Sequence, residues 1–135
     1  MDIRVTFPGG ERVDAELVGK GFVVSTDHSK EDGGAGSAPA PWQLFLTSIA
    51  TCAGAYVLSF CRQRDLPTDG VELVQRQEYD DAGARLTKVR IVINVPPEFP
   101  QKYRRALVRA AELCAVKKVI ADPPEFEITT GPGKP

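Results

Sequence analysis

The feature that most narrows the fold is the run from Pro41 to Phe60, PWQLFLTSIATCAGAYVLSF, which carries no charged residue. Its apolar positions recur at helical spacing: Phe45, Ile49, Cys52, Tyr56 and Phe60 step by 4, 3, 4 and 4. The other side of the same helix holds Leu46, Ala50, Ala53 and Val57, so the element is apolar nearly all round. A helix of that kind needs cover, either centrally in its domain or against another subunit. Thr47, Ser48, Thr51 and Ser59 interrupt it, and it reads as a buried helix rather than a membrane span. Pro41 suits its first turn, and it is expected to end between Arg62 and Asp65, ahead of Pro67.

Around this helix the chain alternates. Ile3, Val5 and Phe7 alternate with Arg4 and Thr6 until Pro8-Gly9-Gly10, and Val13, Ala15 and Leu17 follow the same period, which predicts a hairpin. Phe22-Val23-Val24 predicts a short third strand. From Asp27 to Ala40 periodicity is lost, and the Gly- and Ser-rich composition predicts a long loop, a functional segment or a surface excursion. After the helix, Val71 to Tyr79 and Val89 to Val95 predict a second hairpin, turned at Asp80 to Gly83. Tyr103, Leu107, Ala110 and Cys114 predict one amphipathic helix, its other side carrying Lys102, Arg104, Arg105, Arg109 and Glu112 as a solvated face. Phe126 and Ile128 predict a last short strand. The order βββ-α-ββ-α-β describes an α+β domain, an antiparallel sheet packed on two helices. At 135 residues, a single domain over 1–135 is expected.

Charge and termini exclude several classes. A net charge of −1 supplies no basic footprint, so neither nucleic acid nor membrane is expected as a partner. The start, Met1-Asp2-Ile3-Arg4, has no apolar signal-type stretch, which predicts a cytoplasmic protein. Three cysteines in a reducing compartment point to a metal site or a reactive thiol before a disulfide framework. His28 is the only histidine, in the loop beside Asp27, and no CxxC or HxxxH spacing supports a metal. No metal and no cofactor are expected. Gly131-Pro132-Gly133-Lys134 has no helix after it, and so is not read as a phosphate loop.

Cys52 and Cys114 fall on the apolar stripes of the two helices, one on each. Helices packed stripe to stripe would bring them together; buried cysteines that only fill space are the alternative. Cys61, nine residues beyond Cys52, is turned by roughly 180° at helical pitch and is expected to serve packing alone.

These segments resemble a known family. GGAGSAPAPWQLFLTSIATC, from Gly33 to Cys52, is similar to the OsmC/Ohr pattern of a Gly-rich loop, a Pro-initiated helix and small residues leading to a cysteine. VRAAELCAV, Val108 to Val116, resembles the helix carrying that family's second cysteine. The resemblance implies an OsmC-like fold, an intertwined homodimer with the central helices in the interface, and thiol-dependent reduction of organic hydroperoxides in oxidative-stress defence. Carried across by position, Cys52 attacks the peroxide, Cys114 resolves the sulfenic acid to a disulfide, and a cellular dithiol reduces it. It further implies that an arginine of the first hairpin activates the thiol, a role that falls on Arg12, otherwise a solvated hairpin residue.

The family pattern is not complete. Where the hydroperoxide-resistance branch holds a glutamate to anchor that arginine, ten residues before Cys52, this chain has Trp42. Cys52 also lies too far into its helix for the helix dipole to reach it. An apolar substrate tail needs apolar walls, and Trp42, Phe45, Tyr56 and Phe60 are the candidates, with plain packing as their alternative. The competing function is a non-catalytic module that binds a small apolar ligand at the dimer interface.

Overall fold

The computed structural model describes residues 1–131. The strands are β1 (Ile3–Gly9), β2 (Arg12–Leu17), β3 (Phe22–Thr26), β4 (Glu72–Tyr79) and β5 (Leu86–Asn94). The helices are α1 (Pro41–Arg62), α2 (Arg104–Glu112) and α3 (Ala115–Ala121), with a single 3-10 turn, Gln101–Tyr103, ahead of α2. The strands form two antiparallel sheets rather than the one expected: β1-β2-β3, and a separate β4-β5 pair. The α+β class stands.

The fold gathers into two compact units, Met1–Ser48 and the chain from Ile49 onward, with the boundary inside α1. In the first unit β2 is the central strand, paired Ile3↔Leu17 on one side and Val13↔Thr26 on the other. Gly10 takes φ +61° in the β1–β2 turn, where a side chain would be strained. The loop 27–40 is held by Asp27, which is 1% exposed. Its carboxylate accepts the backbone N–H of His28 (2.8 Å) and of Ser37 (2.9 Å), and the Ser37 hydroxyl at 2.7 Å. These donors, with Ser37 foremost, hold its pKa below the ordinary 3.8 against the opposing pull of burial. The loop also passes so close that a Cβ on Gly34 would lie inside the His28 carbonyl and 2.8 Å from the Asp27 carboxylate. The apparently featureless sequence is therefore a tightly tied loop.

In the second unit, one stripe of α1 is buried: Ile49, Ala53, Val57, Phe60 and Cys61. The last three join Phe99 and Leu107 in the core, with Leu73 and Ile93 of the β4–β5 hairpin packed against them. Val57, Phe60, Phe99 and Leu107 each contribute roughly 1.5–3 kcal/mol on burial. The helix is not covered all round, since Leu58 is 38% and Phe45 36% exposed. By length and composition α1 could cross a membrane, a test that the core helix of a globular protein also passes, and its buried stripe is core.

Two expectations about the C-terminal part are corrected. The second helix is interrupted after Glu112, and Cys114 becomes the N-cap of α3 with ψ 119°, outside the helical range. No strand follows α3 among the described residues: Phe126 and Ile128 are 84% and 93% exposed. A strand is made by its ladder partner, and alternation alone supplies none.

Candidate functional site

The structure brings Cys52 and Cys114 together within the second unit. Cys114 is 2% exposed and Cys52 is half-buried; both are free thiols. The Cys114 S–H has two acceptors in reach, the Ile49 carbonyl at 3.9 Å and the Cys52 sulfur. Its own sulfur accepts the Lys117 backbone N–H at 3.5 Å, closing the first turn of α3 as an N-cap.

That interruption matters chemically. The first N–H groups of a helix have no partner inside it. Here they face sulfur: the Val116 N–H first, then the Cys114 thiol, then the Ala115 N–H, hold the Cys52 pKa below the ordinary thiol value while burial opposes them. The groups that shift Cys52 thus come from residues 114–116. Sequence reading placed the activating charge on a side chain and missed these backbone donors. Glu112-Leu113-Cys114-Ala115 contains no Gly, Pro, Asn or Ser to mark a new helix start, and the apolar stripe runs straight across it. The local sequence offered no signal.

Arg12 is engaged within the first unit. Its guanidinium donates to both Asp14 carboxylate oxygens at 3.1 Å and to the Ser25 hydroxyl at 3.1 Å. Trp42 and Phe45 lie in the first turns of α1, their rings stacked with centroids 5.0 Å apart. Gln43 accepts the Ala40 backbone N–H at 2.9 Å, the reciprocal half of a capping box, so its amide is committed to starting α1.

The expected aromatic walls are arranged otherwise. Phe60 belongs to the core, edge-on to Tyr103 at 6.0 Å, with the Arg64 guanidinium 3.8 Å above its ring. Tyr56 is half-buried on α1. The cavity that opens beside Cys114, about 260 Å³, is lined by aliphatic residues, among them Ile49, Ala53, Ile91 and Val108, with Glu112 and Lys117 at its edge. Cys61 is fully buried in the core, where packing was expected.

In sequence and fold the chain is similar to known proteins. The family model for OsmC-like protein matches residues 34–129. A protein from Psychrobacter arcticus 273-4, described as an osmotic stress induced and detoxification response protein, is 25% identical with a TM-score of 0.68, over 86% of this chain and 85% of that one. An organic hydroperoxide resistance protein OsmC from Legionella pneumophila is 19% identical with a TM-score of 0.56, over 89% of each chain. One from Vibrio cholerae, with captopril bound in an active site, is 18% identical with a TM-score of 0.53, over 88% of this chain and 84% of that one. No protein of curated function matches the sequence.

Proposed function

This chain belongs to the OsmC-like family, and we propose that within it the chain is a thiol-dependent reductase of organic hydroperoxides, Cys52 attacking and Cys114 resolving. The observation that carries the reading is the pair itself: a half-exposed thiol with a lowered pKa, hydrogen-bonded to a second thiol that caps a helix. A thiolate is the required nucleophile, and a lowered pKa raises its share at any given pH below the ordinary thiol range.

The Cys52 thiolate attacks the terminal peroxide oxygen; the O–O bond breaks, the alkoxide takes a proton and leaves as the alcohol, and Cys52 becomes a sulfenic acid. The Cys114 sulfur then attacks the Cys52 sulfur, the S–O bond breaks, and water leaves with the Cys114 proton. An external dithiol returns both thiols and is itself oxidised to a disulfide. The aliphatic cavity beside Cys114 suits the alkyl part of the substrate. We also propose a homodimer: within the first unit Trp42 (48% exposed) and Phe45 on α1, and Phe7 (80%) on β1, are apolar side chains left exposed that a second copy can cover.

The test is peroxide loss with cumene hydroperoxide and dithiothreitol. Turnover in the wild type that disappears in Cys52→Ser supports the reading. A folded wild type with titratable thiols and no turnover sinks it. One arrangement favours a second reading, a ligand-binding module: Trp42 stands where a glutamate would anchor the arginine, and Arg12 is bound to Asp14. Under that reading an apolar ligand binds equally to wild type and Cys52→Ser.

A further inference from the structure

The chain's charges are not spread evenly. Residues 101–121 hold six basic side chains, Lys102, Arg104, Arg105, Arg109, Lys117 and Lys118, against one acidic, Glu112, a local charge of +5 in a chain of net charge −1. All six are exposed. Elsewhere three of the four sheet arginines are paired, Arg4 with Glu16, Arg12 with Asp14 and Arg90 with Glu78. Among the described residues no ion pair reaches the six; Lys102 alone has a contact, 4.9 Å over the Tyr103 ring. Apolar side chains stand exposed among them: Val108 (51%), Leu113 (51%), Val119 (54%) and Ile120 (46%). Apolar contact area set among charged residues is how protein interfaces are composed.

This surface runs into the thiol site. A hollow of about 260 Å³ is walled by Arg105, Val108, Arg109 and Glu112. Val108 and Glu112 also line the cavity beside Cys114, where Lys117 joins them. A body seated on the arginines therefore lies beside the cavity that Cys114 lines. Cys114 is nearly sealed and Cys52 only half-exposed, so a dithiol carried on a protein reaches them only from a seat beside the site.

We propose that the exposed α2–α3 surface is the docking site for an acidic protein carrying the dithiol that reduces the Cys52–Cys114 disulfide, an inference that rests on the thiol-pair reading above. One partner thiolate attacks the Cys52 sulfur, the more exposed of the two. The S–S bond breaks and its electron pair leaves on Cys114, where the Lys117 N–H receives the thiolate. The partner's second thiolate then attacks its own mixed-disulfide sulfur and releases the Cys52 thiolate. The partner departs as a disulfide, and its two protons pass to solvent or to the restored thiols. Opposite charge speeds the encounter, and the effect fades with salt.

The probes are two short synthetic dithiol peptides of one sequence, flanked by glutamates in the first and lysines in the second. Oxidised protein is mixed with each in low salt and the return of free thiols is followed. The glutamate peptide should react on the order of tenfold faster, with the advantage lost at high salt. Arg105→Glu/Arg109→Glu should abolish it while reduction by dithiothreitol stays unchanged; Arg105→Gln/Arg109→Gln, a milder change, should leave an intermediate rate. Equal rates for the two peptides, or a faster lysine peptide, overturn the proposal. So does tighter binding of duplex DNA or of phosphatidylglycerol vesicles than of the glutamate peptide, or self-association of the protein that the charge reversal abolishes. If peroxide yields no Cys52–Cys114 disulfide, the thiol-pair reading fails and the surface's redox role with it. Binding of a serine-for-cysteine glutamate peptide to the reduced protein, measured by fluorescence anisotropy, then separates a surviving acidic-partner surface from no surface at all.

Discussion

Cys52 and Cys61 stand nine residues apart on the same helix, and their thiols are pushed in opposite directions. Burial raises Cys61, only partly offset by the nearby Arg64 charge. Cys52 is lowered, because the Val116 N–H, the Cys114 thiol and the Ala115 N–H together outweigh its desolvation. Both residues belong to one apolar helix, so helical position decides little. What separates them is what faces the sulfur: at Cys61 the core of Val57, Phe60, Phe99 and Leu107, at Cys52 the backbone amides of Val116 and Ala115 and the Cys114 thiol. The same means is used at Asp27, where amide and hydroxyl donors lower a nearly sealed carboxylate. In both places backbone N–H donors, with one side-chain donor beside them, lower the pKa.

The sharpest test of the contrast is selective alkylation by iodoacetamide at pH 8, read by mass spectrometry. Cys52 should react directly, whereas Cys61, at 0% exposure, must wait for the core to open. About 4 kcal/mol of opening free energy gives about a 1,000-fold difference in rate. Comparable rates would mean that the core around Cys61 is not closed. The next effect is on stability. Cys61→Ser puts a hydroxyl into an apolar site and should cost roughly 1–3 kcal/mol in urea denaturation, with peroxide turnover unchanged. A neutral substitution there would show that the buried sulfur does no packing.

Much of this difference was readable in advance, and part was not. Periodicity located α1, the two hairpins and the loop 27–40, because those signals are local and strong. It assigned Cys61 to packing, which the core confirms, although by a helical-wheel angle that set it away from the apolar stripe; the stripe that is in fact buried, Ile49-Ala53-Val57-Phe60-Cys61, straddles the two sides drawn from sequence. The break before Cys114 was not legible. Helix termini are normally written in capping residues, and Cys114 caps through a sulfur that sequence rules do not count as a cap. The tied loop was equally hidden, since Asp27 and Ser37 look like ordinary turn formers until both meet. Phe126 and Ile128 carried the reverse lesson, a strand pattern that pairs with no strand among the described residues.

The role of the hidden break can be isolated with Ala115→Pro. Proline at the first position of a helix is well tolerated, and Cys114 already has the extended ψ of 119° that a following proline demands. The substitution therefore removes one N–H from Cys52 and leaves α3 formed. The pH at which Cys52 alkylation reaches half its plateau should move up, toward the ordinary thiol value, while Ala115→Gly, which keeps the N–H, should leave it in place. An unmoved inflection in the proline variant would assign the lowering to Val116 and the Cys114 thiol alone.

The smallest effect follows from the opposite signs of the two shifts. A thiol with a lowered folded pKa favours folding above its unfolded pKa, roughly 8.5, and loses that contribution as the pH falls through the folded value. A thiol with a raised pKa does the reverse: its contribution is complete below the unfolded value and is lost as the pH rises toward the folded one. Between neutral pH and about pH 10, Cys52 should thus gain stability for the fold while Cys61 loses it. Urea midpoints measured across that range should fall less steeply in Cys61→Ala than in the wild type, and more steeply in Cys52→Ala. Because the two wild-type contributions oppose each other, the parent curve should lie between those of the variants. If both variants shift the slope the same way, the two thiols do not titrate in opposition, and the contrast between amide-held and core-held sulfur fails.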